Sequence, residues 1–383
     1  MLAVGEGAFL LLIVAYLENH HVPVAETGSV MAFLSIVEAV TCLLTGFLFR
    51  GKYAREAIAL SLLVQGSGAL ILAGQPTGAW VWLGAGVNGA GMGTVSVALY
   101  AATLERRPPT IPLGLAIGLY TAGIAAGNGL GATLCGIVTD RYGFGLTFAL
   151  SASAIMVMAL AALTLSRQAR AAVVAQSQDV PAALKSAPAH GGVWVLAVIS
   201  AFTLAGINTA FDTLFPIYGL RAGMTMTVIG SLAGLKGFLA AVVRPFSGAI
   251  LARANTLRLN NWSLAGLAGT TMLVPLLGLS AAFTALVGSM GFMFGASRVI
   301  SATLLLEGQD NSRLTSRRIS FYNTALDVGA IVGPWAGGWV AWWVGLPSAL
   351  AIVPGGLLGI YLAALWVLPR LARHRHSVGY TRI

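Results

Sequence analysis

The sequence predicts an all-α membrane protein of about twelve transmembrane helices, arranged as two pseudo-symmetric six-helix bundles. Three observations predict it. First, 57% of the 383 residues are hydrophobic and only 9% are charged, with a mean hydropathy of +0.84. A water-soluble chain of this length has no interior large enough to hide that much apolar surface. Second, the apolar runs repeatedly reach the roughly 20 residues that span a hydrocarbon core. Third, a glycine pattern occurs twice. Gly123-Ile-Ala-Ala-Gly127-Asn128-Gly-Leu-Gly131 returns as Gly329-Ala-Ile-Val-Gly333-Pro334-Trp-Ala-Gly337, at an offset of about 206 residues. Gly46 to Arg55 and Gly143-Phe-Gly-Leu have counterparts at Gly248 to Arg258 and Gly345-Leu-Pro-Ser. A membrane protein with two similar halves is built to hold a site between them, the architecture of a carrier with alternating access.

The predicted spans are 2–19, 28–49, 57–74, 80–103, 112–137 and 145–166, then 192–217, 226–251, 262–279, 282–306, 319–343 and 346–369. The first begins almost at Met1 without the basic flank of a signal peptide, which leaves room for a start upstream. The one long polar connection, 167–191, separates bundle 1–166 from bundle 192–369, and a tail, 370–383, follows. Short loops elsewhere make helices adjacent in sequence antiparallel neighbours. In the fifth and eleventh spans, small residues every fourth position let backbones approach closely. Gly123, Gly127, Gly329, Gly333 and Pro334 are therefore the expected packing and gating positions.

The net charge of +10 does not indicate nucleic acid. Basic residues gather at alternate loops: Arg50, Lys52 and Arg55; Arg106 and Arg107; Arg167, Arg170 and Lys185; Arg253 and Arg258; Arg313, Arg317 and Arg318; Arg370, Arg373, Arg375 and Arg382. The intervening loops hold only Arg141 and Arg221. This positive-inside bias puts both termini and the linker in the cytoplasm of a bacterial-type inner membrane. Trp339, Trp342 and Trp343 fall at the outer edge, as interfacial aromatics do. Cys42 and Cys135 lie in apolar helices and read as small hydrophobes. His20 and His21 read as an exposed loop. No metal-ligand spacing, catalytic triad or phosphate-binding loop occurs, so no cofactor, enzyme activity or ATP drive is expected.

Ionisable residues inside a membrane cost roughly 2.5–3.5 kcal/mol each on insertion scales and mark function. Seven are candidates: Glu6, Glu38, Asp212, Lys236, Arg244, Arg298 and Asp327, while Glu18 stands at the outer mouth of the first span. Glu6 falls near the cytoplasmic end, close to the edge of the buried region. Glu38 has no basic residue near it in its own helix, so it is either a proton carrier or a protonated glutamate bonded to a neighbour. Asp212 and Lys236 differ in depth by roughly 8 Å, a gap a lysine side chain can close. Arg298 and Asp327 lie at matching depth and form a second expected pair. Arg244 then leaves a surplus cation, met by an anionic substrate group or by Glu38. Asn208 and Asp212, like Asn323 and Asp327, are four apart on one helix face, each a polar patch. Proton coupling is thus expected of Glu38, Asp212 and Asp327, and a substrate cavity of Asn208, Lys236, Arg244, Arg298, Tyr322 and Asn323.

The chain resembles the major facilitator superfamily of secondary transporters. The resemblance is carried by Gly329-xxx-Gly333-Pro334-xx-Gly337-Gly338, by its copy Gly123-xxx-Gly127-Asn128, in which Asn128 replaces the proline, by Asp140-Arg141-Tyr-Gly143-Phe, and by Arg244-Pro245-xx-Gly248. The loop after the second span keeps Gly46 and the basic Arg50, Lys52 and Arg55 but lacks the family's aspartate. The resemblance implies two six-helix bundles around a central cavity and rocker-switch alternating access. The glycine motif is associated with antiporters, which implies proton-coupled export of a small organic molecule, a drug-like compound or a secreted metabolite such as a metallophore, by a monomer in the lipid bilayer. Uptake of a small organic anion with protons, and a non-transporting receptor or assembly factor, are the alternatives.

Overall fold

The computed structural model describes residues 2–48, 53–105, 113–164, 193–251, 255–277, 280–306 and 312–378. The predicted linker 167–191, with Lys185, lies outside them. Eleven α-helices are described: α1 (Leu2–Asn19), α2 (Val24–Leu48), α3 (Ala54–Ala73), α4 (Ala79–Glu105), α5 (Leu113–Leu163), α6 (Val193–Arg221), α7 (Met226–Leu251), α8 (Thr256–Leu273), α9 (Ala281–Leu306), α10 (Ser312–Val344) and α11 (Leu346–Val378). The chain is an all-α membrane protein. Seven of the described helices are long and apolar enough to cross a bilayer.

The fifth and sixth predicted spans form one element here. The apolar stretch Gly118–Leu163 of α5 runs for 46 residues, roughly 69 Å at helical rise, more than twice a hydrocarbon core. It reverses at Gly143, whose φ of 79° and ψ of 173° break the helix. A residue with a side chain is strained at that φ, which explains the glycine.

Helices α1–α5 pack on one another, as do α6–α11, and the sets meet chiefly through α5 on α7 and α10 on α2. In the first set, α1 is buried on all sides: Phe9, Leu12, Ile13, Val14 and Ala15 have no exposed surface. Phe148 meets Phe9 and Tyr16 edge-on, with ring centroids 6.1 and 5.8 Å away. In the second set a buried polar chain ties three helices. Ser200 of α6 donates to Asn260 Oδ1 of α8 (3.0 Å), Asn260 Nδ2 donates to the Tyr361 hydroxyl of α11 (2.8 Å), and Tyr361 donates to Asn261 Oδ1 (2.5 Å). Buried polar groups demand such partners.

The repeated glycines sit at backbone crossings that repeat as well. On α5, a Cβ at Gly131 would strike the Val4 carbonyl of α1, and one at Gly127 would come within 2.6 Å of Ala3. On α10, Gly329 and Gly333 face the Phe202 and Gly206 carbonyls of α6 in the same way. Each of these helices also crosses the opposite set. Gly230 of α7 lies against the Ala132 carbonyl of α5, and Gly28 of α2 against the Pro334 carbonyl of α10. Gly123 does not join its crossing. Nothing lies within 4 Å of a Cβ there, because Gly123 is on an exposed face of α5 while its neighbours Ala122 and Ala125 pack on α7.

Substitutions test the distinction. Gly131→Leu and Gly333→Leu force backbone apart and are expected to cost about 1–3 kcal/mol or more, the range for overpacking. The thermal midpoint of purified protein should fall for both and stay put for Gly123→Leu. Equal losses at all three would show that the crossings are not the tight points.

Candidate functional site

The charged residues inside the spans converge where the two sets meet. Lys236 of α7 is 6% exposed and forms an ion pair with Asp212 of α6, whose side chain is 47% exposed. Asn208, one turn earlier on α6, donates to the other Asp212 oxygen at 2.8 Å, so both carboxylate oxygens are engaged. The Lys236 ammonium also lies 5.1 Å from the Phe211 ring and 5.7 Å from Phe294, distances at which aromatic faces attract cations. Arg244 follows Lys236 by two turns on the same face of α7. It donates to the Thr121 carbonyl of α5, and its guanidinium lies 5.8 Å from Phe294. Phe294 belongs to α9, which passes close to α7 because Gly291 and Gly295 lie against the Lys236 and Ala240 backbone.

Arg298 is one turn beyond Phe294 on α9, 5.9 Å from the Tyr322 ring of α10. The Tyr322 hydroxyl bonds Ser301 Oγ (2.8 Å) and donates to the Arg298 carbonyl (3.3 Å). The expected Arg298–Asp327 pair does not close. The two are within electrostatic reach, but the guanidinium lies over the Tyr322 ring. Asn323 is exposed. Its patch with Asp327 therefore differs from the bonded pair of Asn208 and Asp212.

Two more carboxylates face this group from the first set. Glu38 of α2 is within electrostatic reach of Glu6 on α1 and of Asp327 across the seam. Glu6 is not the peripheral residue its place in the sequence suggests. Asn128 Nδ2 of α5 donates to its carboxylate at 3.4 Å, because Gly7 lets α1 lie against the backbone of Asn128. Asn128, which stands where the glycine motif has proline, thus gives Glu6 a polar partner. Sequence spacing alone cannot pair residues 122 positions apart.

A second constellation closes the end of the molecule that holds the α1–α2 and α6–α7 turns. The Asp140 carboxylate of α5 accepts from the Met226 and Thr227 amides at 3.0 and 2.7 Å, capping α7 from the opposite set. Aspartate suits that place, since the first amides of a helix lack partners and carry the positive end of its dipole. Nearby, Arg221 of α6 bonds Glu18 of α1 through Nε (2.6 Å) and Nη2 (3.0 Å). The sequence marks Glu18 and Arg221 as polar residues of loop ends but not as partners. Among the described residues no group of His, Cys, Asp and Glu is arranged to hold a metal, and both cysteines are free thiols. His20 packs on Tyr16 with ring centroids 4.2 Å apart.

The Asp212–Lys236 contact makes a quantitative expectation. Removing Asp212 strands the buried Lys236 ammonium, which costs several kcal/mol, and removing Lys236 leaves the half-exposed Asp212 carboxylate unpaired at a smaller cost. Asp212→Asn and Lys236→Met should each lower the thermal midpoint more than the double variant does. Additive losses would mean that the pair contributes nothing jointly.

The model of the family described as "Major Facilitator Superfamily" matches residues 1–314. No curated protein sequence matches the chain. Among solved structures, the human organic anion transporter MFSD10 (TETRAN) is 18% identical with a TM-score of 0.59, over 95% of this chain and 96% of that one. The nucleoside transporter NupG is 14% identical with a TM-score of 0.66, over 95% of this chain and 98% of that one. A mutant form of NupG reaches a TM-score of 0.70 at 12% identity, over 95% and 96% of the two chains. At these identities the likeness is one of fold, whereas the family match covers most of the sequence. The chain belongs to the Major Facilitator Superfamily: it is a multi-pass secondary transporter acting on small molecules, not an enzyme.

Proposed function

We propose that this chain is a proton-coupled exporter of a small organic molecule in a bacterial-type inner membrane. It works as a monomer of twelve spans in two six-helix bundles, 1–166 and 192–369, joined by the cytoplasmic linker 167–191. The observation that carries this reading is the belt of seven ionisable residues, from Glu6 to Asp327, gathered where the two sets of helices meet. A scaffold without transport has little reason to keep so many costly groups there. The alternation of basic loops supports cytoplasmic termini and the cytoplasmic 370–383 tail. On that topology, the end closed by Asp140, Glu18 and Arg221 is the outer one, which suits a form loaded from the cytoplasm.

Glu38 is the proton carrier in this reading. Its helix contains no Lys or Arg, and the charged groups within its electrostatic reach are Glu6 of the same set and Asp327 across the seam. Asp212 and Asp327 serve beside it. Uptake of a small organic anion with protons is the second reading, and Lys236, Arg244 and Arg298 together favour it. The direction of flux under an imposed pH gradient in proteoliposomes, screened over a compound panel, separates the two.

Two experiments test the particulars. Glu38→Gln imitates the protonated acid, so it should keep the fold and substrate exchange while abolishing accumulation driven by the gradient. Accumulation that still follows pH would remove Glu38 from the role. For topology, a cysteine at Lys185 should resist an impermeant thiol reagent outside intact cells, whereas one at Thr77 should react. Equal labelling would overturn the cytoplasmic linker.

A further inference from the structure

The charges of the site are sorted by sign onto opposite sides. The described α1, α2 and α4 contain no Lys or Arg, and neither does α5 before Arg141. Of the seven candidate ionisable residues within the spans, this side contributes only Glu6 and Glu38. Helices α7 and α9 contain no Asp or Glu. That side contributes Lys236, Arg244 and Arg298, tied into one surface by Phe294 and Tyr322. Asp212 and Asp327, from α6 and α10, stand beside the cations: Asp212 in an ion pair with Lys236, Asp327 within reach of Arg298. Among the described residues of these helices, the acidic side has no such internal counter-charge. Its polar partner is an amide, Asn128.

We infer that the substrate of this site is a small zwitterion, its cationic group seated against Glu6 and Glu38 and its anionic group against the Lys236, Arg244 and Arg298 side. This deepens the transport reading above and rests on it. A ligand carrying one sign satisfies one side and, on entering, removes water from the other without replacing it. Desolvating an unmatched charge is expensive, and complementary charge is what makes an interface selective. A zwitterion matches both sides and adds no net charge to a cavity inside the bilayer. It is also held by both sets of helices at once, so its binding is sensitive to their relative position.

The test uses the full-length protein in nanodiscs and three matched triplets, built on phenylalanine, tryptophan and glutamine. Each triplet comprises the free amino acid, its N-acetyl derivative (anion only) and its amide (cation only). Thermal midpoint is followed against ligand concentration into the millimolar range. The expected result is that, in at least one triplet, the free amino acid half-saturates at about tenfold lower concentration than either blocked form. Glu38→Gln should then reduce the gap between the amino acid and its N-acetyl form, and Arg298→Gln the gap between the amino acid and its amide. Both substitutions are close in shape to the original, and the midpoint without ligand reports whether they fold. An anion or cation that binds as tightly as its zwitterion overturns the inference, as does a lack of response to all three amino acids. Counterflow in proteoliposomes over a wider panel separates this from failure of the transport reading. Exchange of a neutral or singly charged compound overturns the zwitterion and leaves transport standing, whereas exchange of nothing overturns transport itself.

Discussion

Close crossings of helix backbones at small residues hold this molecule together. Between apolar helices in lipid there is little hydrophobic driving force, so association relies on packing and on backbone approach. Helices α5 and α10 each use two such surfaces. Gly127 and Gly131 seat α5 on α1, while Gly230 of α7 meets its other side at Ala132. Gly329 and Gly333 seat α10 on α6, while Gly28 of α2 meets Pro334. The two arrangements correspond helix for helix, so the repeat seen in the sequence is a repeat of contacts. Each helix binds its own set on one side and the opposite set on the other, which makes the pair natural pivots between the two.

The charged belt depends on those crossings. Lys236 lies near the Phe294 ring because α9 passes α7 at Gly291 and Gly295 without intervening side chains. Glu6 reaches Asn128 because Gly7 admits the backbone of α5. Each ionisable group costs free energy in hydrocarbon, and the tight crossings bring it within range of something that offsets the cost. The latches between the two sets work on the same terms. Asp140 supplies the unpaired amides of α7 with acceptors, and these bonds must be given up if the two sets separate at that end.

Much of this was legible beforehand, for particular physical reasons. Hydropathy shows the helices, because every backbone group in a bilayer must be satisfied within its own segment. A glycine doublet half a chain apart shows the repeat. The Asp212–Lys236 contact was foreseeable because depth along a helix follows from residue counting. The same counting suggested Arg298 with Asp327 and missed that the Arg298 guanidinium lies over Tyr322. It treated Glu6 as peripheral, since counting along one helix says nothing about which neighbour covers a position. It also grouped Gly123 with Gly127, whereas Gly123 is exposed and meets nothing.

The amino-acid sequence by itself determined that the chain is helical, crosses the membrane and repeats, because these follow from composition, segment length and local spacing. Only the tertiary structure decided that Asn128 serves Glu6, that Asp140 caps α7, and that Glu18 and Arg221 join two sets of helices. Those partners lie from 86 to 203 residues apart. The rotation of each helix about its own axis chooses them, and that rotation is set by how all the neighbouring small residues interlock at once.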